Sequence, residues 1–169
     1  GGAAVHKDNI VGSLYALNAK PSTLLLGQGF DEDWEVEFQE EVEERFTLWA
    51  ESPENWVDAS RQNTFTDLVR LAVGVHTAGG ELLGAAEWAR KGSRPFQQMI
   101  DTDRLSNPPY RVMMDDRLRA GVERDAYGAP FAYHIRVAHP SDWHVPNNHR
   151  WKRVLARKPW GRLQIIHLF

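Results

Sequence analysis

Residues 119–136 read RAGVERDAYGAPFAYHIR, and beyond the Tyr127-Gly128 step the pattern settles into a period of two. Phe131, Tyr133, Ile135 and Val137 fall on one side, and Ala132, His134, Arg136 and Ala138 on the other. That alternation marks a β-strand with one buried face. Gly128 supplies the positive φ of a tight turn, so the segment reads as strand, turn, strand. The closing GRLQIIHLF, 161–169, reads as a further strand. The second half of the chain is therefore committed to an antiparallel sheet, and the first half must supply the elements that pack with it.

Those elements read as helices. Residues 1–12 look like the end of a helix stopping near Gly12, followed by a short apolar strand through Leu17 that Pro21 closes. A Gly-rich loop at 27–31 leads to Asp31, placed to cap the next helix, with acids in its first turn. Trp34, Phe38, Val42, Phe46 and Trp49 then follow at steps of four, four, four and three, an apolar stripe on one helical face that ends before Pro53. Thr64 and Asp67 form a capping-box variant for a second helix, whose stripe is Phe65, Leu68, Val69, Ala72, Val73 and His76 and whose stop is Gly79-Gly80. Period-two segments follow at 81–89 and 96–100, the latter broken by Asn107-Pro108-Pro109, and then the hairpin at 120–138. Residues 139–162, with three Pro and three Trp, read as an irregular insertion before the last strand at 163–169. Helices first and strands afterwards predict an α+β fold. The expectation is two or three amphipathic helices packed on a curved, mainly antiparallel sheet of about five strands, in a single domain covering 1–169.

Seven Trp and 42% hydrophobic residues in 169 are enough for a real core. With no cysteine, disulfides and thiolate metal sites are excluded. No run of 18 apolar residues and no signal peptide is present. The opening Gly-Gly without Met and the apolar ending read as an excised piece of a longer protein. The net charge of −3 hides a strong asymmetry: 31–44 holds nine acids and no base, whereas 111–162 holds eleven bases against five acids. A mildly acidic whole argues against tight, sequence-independent DNA binding, which needs a continuous basic surface.

Candidate chemistry is sparse. His134, His139, His144 and His149 stand five apart, a step that alternates faces on a strand and does not converge on a metal, so they read as surface and loop residues. His76 and His167 read as packed residues of their helix and strand. Asp115-Asp116 beside Arg117 and Arg119, and the pair Asp101 and Asp103, read as solvated turns in place of a metal-assisted hydrolytic pair. Ser13 and Ser60 lack a nucleophile-elbow setting, Gly27-Gln28-Gly29 lacks the third glycine of a dinucleotide site, and neither a phosphate-binding loop nor HExxH occurs. No enzyme, cofactor or metal is expected. Trp34, Trp49 and Trp88 read as core; Trp143, Trp151 and Trp160 read as anchors that hold the insertion on the sheet.

The hairpin, together with HKDNIVGS at 6–13, TFTDLVRLAVGVHTAGGELLGAAEW at 64–88, DRLSNP at 103–108 and WGRLQIIHLF at 160–169, resembles the lambda-type portal proteins of tailed bacteriophages, in order and with similar spacing. The resemblance implies the wing region of a portal subunit, with stem, clip and tunnel regions beyond residue 169. It implies a structural subunit of the ring at a capsid vertex, in the virion and, before assembly, in the host cytoplasm. Its partners would be other portal subunits and the capsid, terminase and head-completion proteins. DNA would pass through the ring without sequence-specific binding, and no membrane would be involved. A ring requires two different patches to meet, which suggests the acidic face of 31–44 against the basic side of the next subunit. The residues proposed for this contact are Glu40, Glu41 and Glu44 on one side and Arg150, Lys152 and Arg153 on the other. Two other classes fit parts of the sequence: a protein-binding module of prophage origin, and a single-stranded nucleic-acid-binding domain using 139–162.

Overall fold

The structure is a computed structural model that describes residues 2–12, 15–21, 32–88, 95–111 and 116–169. The expected cap at Asp31, the glycines at 27–29, Ser13 and Asp115 lie outside the described residues. Three helices, α1 (Gly2–Val11), α2 (Glu32–Ala50) and α3 (Phe65–Gly79), precede the strands β1 (Leu82–Trp88), β2 (Pro95–Ile100), β3 (Leu118–Arg119), β4 (Val122–Arg124), β5 (Pro130–Arg136), β6 (Trp151–Leu155) and β7 (Ile165–Leu168). The fold is α+β. Its strands form two sheets, ordered β2-β1-β7 and β3-β4-β5-β6, in place of the single sheet of about five. The chain divides into two compact units: the described residues up to Gly74 with Pro95 and Phe96, and Val75–Trp88 with Gln97–Phe169.

In the first unit the apolar stripes do what their spacing predicts. Phe46 and Trp49 of α2 meet Phe65 of α3 with ring centroids 5.3 and 5.9 Å apart, and Tyr15 closes on Phe65 at 5.5 Å. The described part of the anticipated strand through Leu17 is coil: 15–20 forms no strand, and the backbone N–H of Tyr15 donates to the Thr66 hydroxyl. The helix ends follow their signals. Gly12 (φ 64°) ends α1, Thr64 Oγ1 accepts from Asp67 N–H at 3.2 Å at the start of α3, and Gly80 (φ 76°) donates to His76 O at 2.8 Å. His76, placed in the core by its spacing, is exposed because it falls in the final turn of α3.

Between α2 and α3 the chain folds around Asp58, which is 3% exposed. Its carboxylate accepts from Ser60 N and Oγ (3.0 and 2.6 Å), Gln62 N (3.1 Å), Asn63 N (3.1 Å) and Asn63 Nδ2 (2.8 Å). Burial pushes its pKa up, but the donors from Ser60, Asn63 and Gln62 outweigh this and hold it below the ordinary range. Asp58→Ala strands these donors. The expected loss is about 2–3 kcal/mol, read as a lower thermal midpoint, with Asp58→Asn falling between the two.

The second unit is a pair of sheets sharing one core. The register Leu83↔His167 and Ala85↔Ile165 puts Leu83, Ala85 and Ile165 on one face of the three-stranded sheet. Val122↔Tyr133 and Tyr133↔Val154 put Val122, Tyr133 and Val154 on one face of the other, with Ile135 two residues along from Tyr133. Leu83, Ala85, Val122, Tyr133, Ile135, Ala156 and Ile165 form the buried cluster, with the partly buried Val154 packed against it, and each fully buried large side chain contributes about 1.5–3 kcal/mol.

Three expectations need correction in this unit. Strand β5 is buried on both faces from Ala132 to Ile135, while Phe131 and Val137 at its ends are exposed. Its second face carries His134, around which Glu123 of β4, Arg153 of β6 and Arg111 gather. Residues 139–162 are not wholly irregular, because β6 lies within them. Its WKRVL sequence hides the strand by alternating charge with apolar side chains on both faces. Trp88 is 45% exposed at the end of β1, not core.

The β3–β4 turn is the tightest point. Ala120 (φ 49°) and Gly121 (φ 81°) form a two-residue turn with both φ positive, the geometry that matches the twist of a hairpin. Gly121 N–H donates to Asn107 Oδ1 at 2.6 Å, and a Cβ at Gly121 would lie 2.6 Å from Ser106 N.

Candidate functional site

Side chains alternate across a strand, so the face of β4-β5-β6 opposite the core carries Glu123, Ala132, His134 and Arg153. This face holds a charged cluster. Arg153 clasps Glu123 through Nε (2.9 Å to Oε1, 3.1 Å to Oε2) and Nη2 (2.6 Å to Oε2). Arg111 Nη1 donates to Glu123 Oε1 at 2.6 Å, and His134 Nε2 lies 2.5 Å from the same oxygen. Glu123 is 8% exposed and His134 2%. The Arg153 guanidinium, with lesser help from His134, holds the Glu123 carboxyl at about 2 against the opposing effect of burial. Glu123 in turn raises the Arg153 pKa. His134 is thus a buried member of a charge network and not the surface residue its spacing suggested.

The network decides what the basic contact residues can do. Arg153 is tied to Glu123. Lys152, opposite Ile135, points to the other face of the sheet, because consecutive strand residues alternate. Arg150 lies exposed just before β6. The three bases therefore do not form one patch. Glu40, Glu41 and Glu44 are all exposed on α2, where Glu41 also pairs with Arg45 at 2.5 Å.

The loop histidines separate. His144 and His149 are exposed, whereas His139 Nε2 lies 3.4 Å from Asp103 Oδ2 and 3.7 Å from Asp101 Oδ2. Asp101, Asp103 and His139 could surround an ion by distance alone. The hydrogen bonds point elsewhere. Ser141 N–H donates to His139 Nδ1 at 3.1 Å, which leaves Nε2 to carry the proton of the neutral ring and donate it toward the acids. Asp101 is already engaged in accepting from Asp103 N–H at 3.0 Å as the cap of a short 3-10 turn, Thr102–Arg104. The seryl candidate Ser60 donates to Asp58 and belongs to that loop. Of the insertion's tryptophans, Trp151 is an anchor, donating to Ser106 Oγ at 2.9 Å, while Trp143 and Trp160 stand exposed.

The 103–108 segment laces these parts together. Arg104 donates to Arg136 O and Val137 O at 2.9 Å each, Ser106 N–H donates to His134 O at 3.3 Å, and Asn107 receives Gly121. Such a set of backbone ties, spread over distant sequence positions, specifies one fold. A family model described as phage portal protein, lambda family, matches residues 1–169, the whole chain. The chain belongs to the lambda family of phage portal proteins. It is 34% identical over 169 residues to portal protein B of Escherichia phage lambda and 33% identical over 168 residues to the portal protein of Escherichia phage N15. Each match covers 98% of this chain but only 30% and 31% of the two relatives. Neither relative lends support to the binding-module or nucleic-acid classes. Among the described residues, the segments that carried the resemblance fall at the end of α1 (6–12), on α3 and β1 (64–88), on the 103–108 segment and on β7 with the turn before it (160–169). No helix among the described residues is long and apolar enough to cross a membrane.

Proposed function

We propose that this portal-family chain is a structural segment, the wing, of a subunit in the portal ring at a phage capsid vertex, through which the genome is packaged and ejected. The observation that carries the reading is the family match over every residue from 1 to 169. The internal charge network and the backbone lacing suit a stiff building element, and the reading assigns it no catalytic role. Stem, clip and tunnel regions would come from the rest of the longer protein, as would contacts with capsid, terminase and head-completion proteins. Neighbouring subunits would meet through the acidic face of α2, with Glu40, Glu41 and Glu44 facing basic residues of the next subunit, Arg150 and Lys152 among them. Arg153, held by Glu123, would act through its hold on the sheet.

The test uses the longer portal protein that contains this chain. Rings should be visible by electron microscopy and as a fast-sedimenting species. Reversing Glu40, Glu41 and Glu44 to Lys should shift most of the protein to subunits, more so at low salt. Undiminished ring formation by the triple variant would remove α2 from the contact, and absence of rings in the unsubstituted protein would remove the ring reading itself.

A further inference from the structure

From Trp143 to Phe169 the sequence contains six bases and no acid. Within it, the hairpin joining β6 to β7 presents a basic, aromatic tip. Ala156 O accepts from Gln164 N–H and Ile165 N–H at 2.9 and 3.2 Å, and Arg157 pairs with Leu163. Lys158-Pro159-Trp160-Gly161 makes the turn: Gly161 (φ 87°) donates to Lys158 O at 2.8 Å, and Lys158 N–H donates to Arg162 O at 2.8 Å. Pro159 and Gly161 suit this turn with its following bulge. Arg157 Nη1 braces it by donating to Gly161 O at 3.0 Å. The turn holds Trp160 out, 72% exposed, beside Trp88, over whose ring the Arg162 guanidinium sits at 4.4 Å. Glu87, 3.6 Å from Lys158, completes an open groove of about 500 Å³. A fixed Trp surrounded by Arg and Lys is the composition of a protein-contact anchor, because it offers large contact area at little cost in side-chain freedom.

The complementary surface is on the same polypeptide. Glu37, Glu40, Glu41 and Glu44 stand at i, i+3, i+4 and i+7 on α2 and are all exposed, and Leu48, one turn further along this face, is also exposed. The row is negative where the tip is positive, and it ends in an uncovered apolar side chain where the tip ends in an uncovered Trp.

We infer that the 157–162 hairpin of one subunit docks on the outer face of α2 of a second copy, with Trp160 covering Leu48 and Arg157 facing Glu40 and Glu44. This inference rests on the ring reading and assigns the anchor of the subunit contact. It relies on charge complementarity within one sequence and on two unlike patches, which is what a head-to-tail ring demands. The tip is one anchor of a larger contact, since a stable interface buries on the order of 1,000 Å² or more.

The chain has no native cysteine, so a cross-linking test in the longer portal protein starts from a clean background in this segment. Trp160→Cys combined with Leu48→Cys should give, under mild oxidation, a ladder of covalently joined subunits that reductant collapses, and neither single substitution should give it. Trp160→Ala removes an exposed side chain, so it should keep the thermal midpoint while raising the concentration needed for half-assembly at least tenfold. Arg157→Glu should weaken assembly likewise and be largely rescued by Glu40→Arg with Glu44→Arg. Rings that form normally with Trp160→Ala, with no cross-link in the double-cysteine protein, overturn the hairpin assignment and leave the ring reading standing. Absence of rings in the unsubstituted protein overturns both.

Discussion

Glu123→Gln should lower the stability of the chain by about 2–3 kcal/mol, seen as a thermal midpoint lower by roughly 5–10 °C for a chain of this size. The amide keeps the shape of the side chain but leaves the Arg111 and Arg153 guanidiniums and the His134 ring gathered around a neutral group. Removing one member of a fully buried pair costs more. Here the two guanidiniums are partly open to water, with side-chain exposures of 32% and 42%, and can be rehydrated. Arg153→Ala should cost less, about 1–2 kcal/mol, because Arg111 and His134 still satisfy the carboxylate. The pH dependence has a defined sign. The folded carboxyl sits at about 2 against an ordinary 4.5, so its contribution is complete above pH 4.5 and is lost as pH falls toward 2. The unsubstituted chain should therefore lose stability through that window, and the Gln variant should lose distinctly less. A midpoint that drops by under about 2 °C, with an unchanged acid limb, would show that the cluster adds nothing net.

Gly121→Ala should be at least as damaging, about 3 kcal/mol. A residue with a Cβ is strained at φ 81°, and here the Cβ would also lie 2.6 Å from Ser106 N and 2.9 Å from Leu105 Cδ1. Backbone cannot swing aside as a flexible side chain can, and Ser106 is itself bonded to His134 O, so the strain reaches the centre of β5. Gly128→Ala is the matched control. Its φ of 86° is as unfavourable, but nothing lies within 4 Å of the added methyl, so the expected cost is about 1 kcal/mol. Equal losses at the two positions, measured by thermal or denaturant unfolding, would show that backbone strain alone matters and that the approach of Ser106 does not.

The helices were legible because their apolar residues recur at helical spacing: Phe46, Trp49 and Phe65 meet as that spacing requires, although Phe38 and His76 of the same stripes are exposed. The caps were legible for a similar reason, since Thr64–Asp67 and Gly80 are local devices. Strand β6 and the buried state of His134 were not, and the two failures have one cause. Period-two reasoning assumes that a polar residue marks the wet face. On the polar face of β4-β5-β6, Glu123 and His134 are buried because Arg111 and Arg153 gather on the Glu123 carboxylate, and that partnership spans 42 residues from Arg111 to Arg153. No local pattern encodes it. For the residues proposed for a subunit contact, charge runs identified an acidic helix and a basic segment, whereas only the strand register shows Lys152 and Arg153 turning to opposite faces.

The acidic row on α2 also governs how copies of this chain can avoid one another. Across a twofold axis a surface must match itself, and Glu37, Glu40, Glu41 and Glu44 presented to their own images would set like charge against like. Symmetric pairing through this helix is thereby discouraged, and raising the ionic strength would relax that protection by shortening the reach of the repulsion.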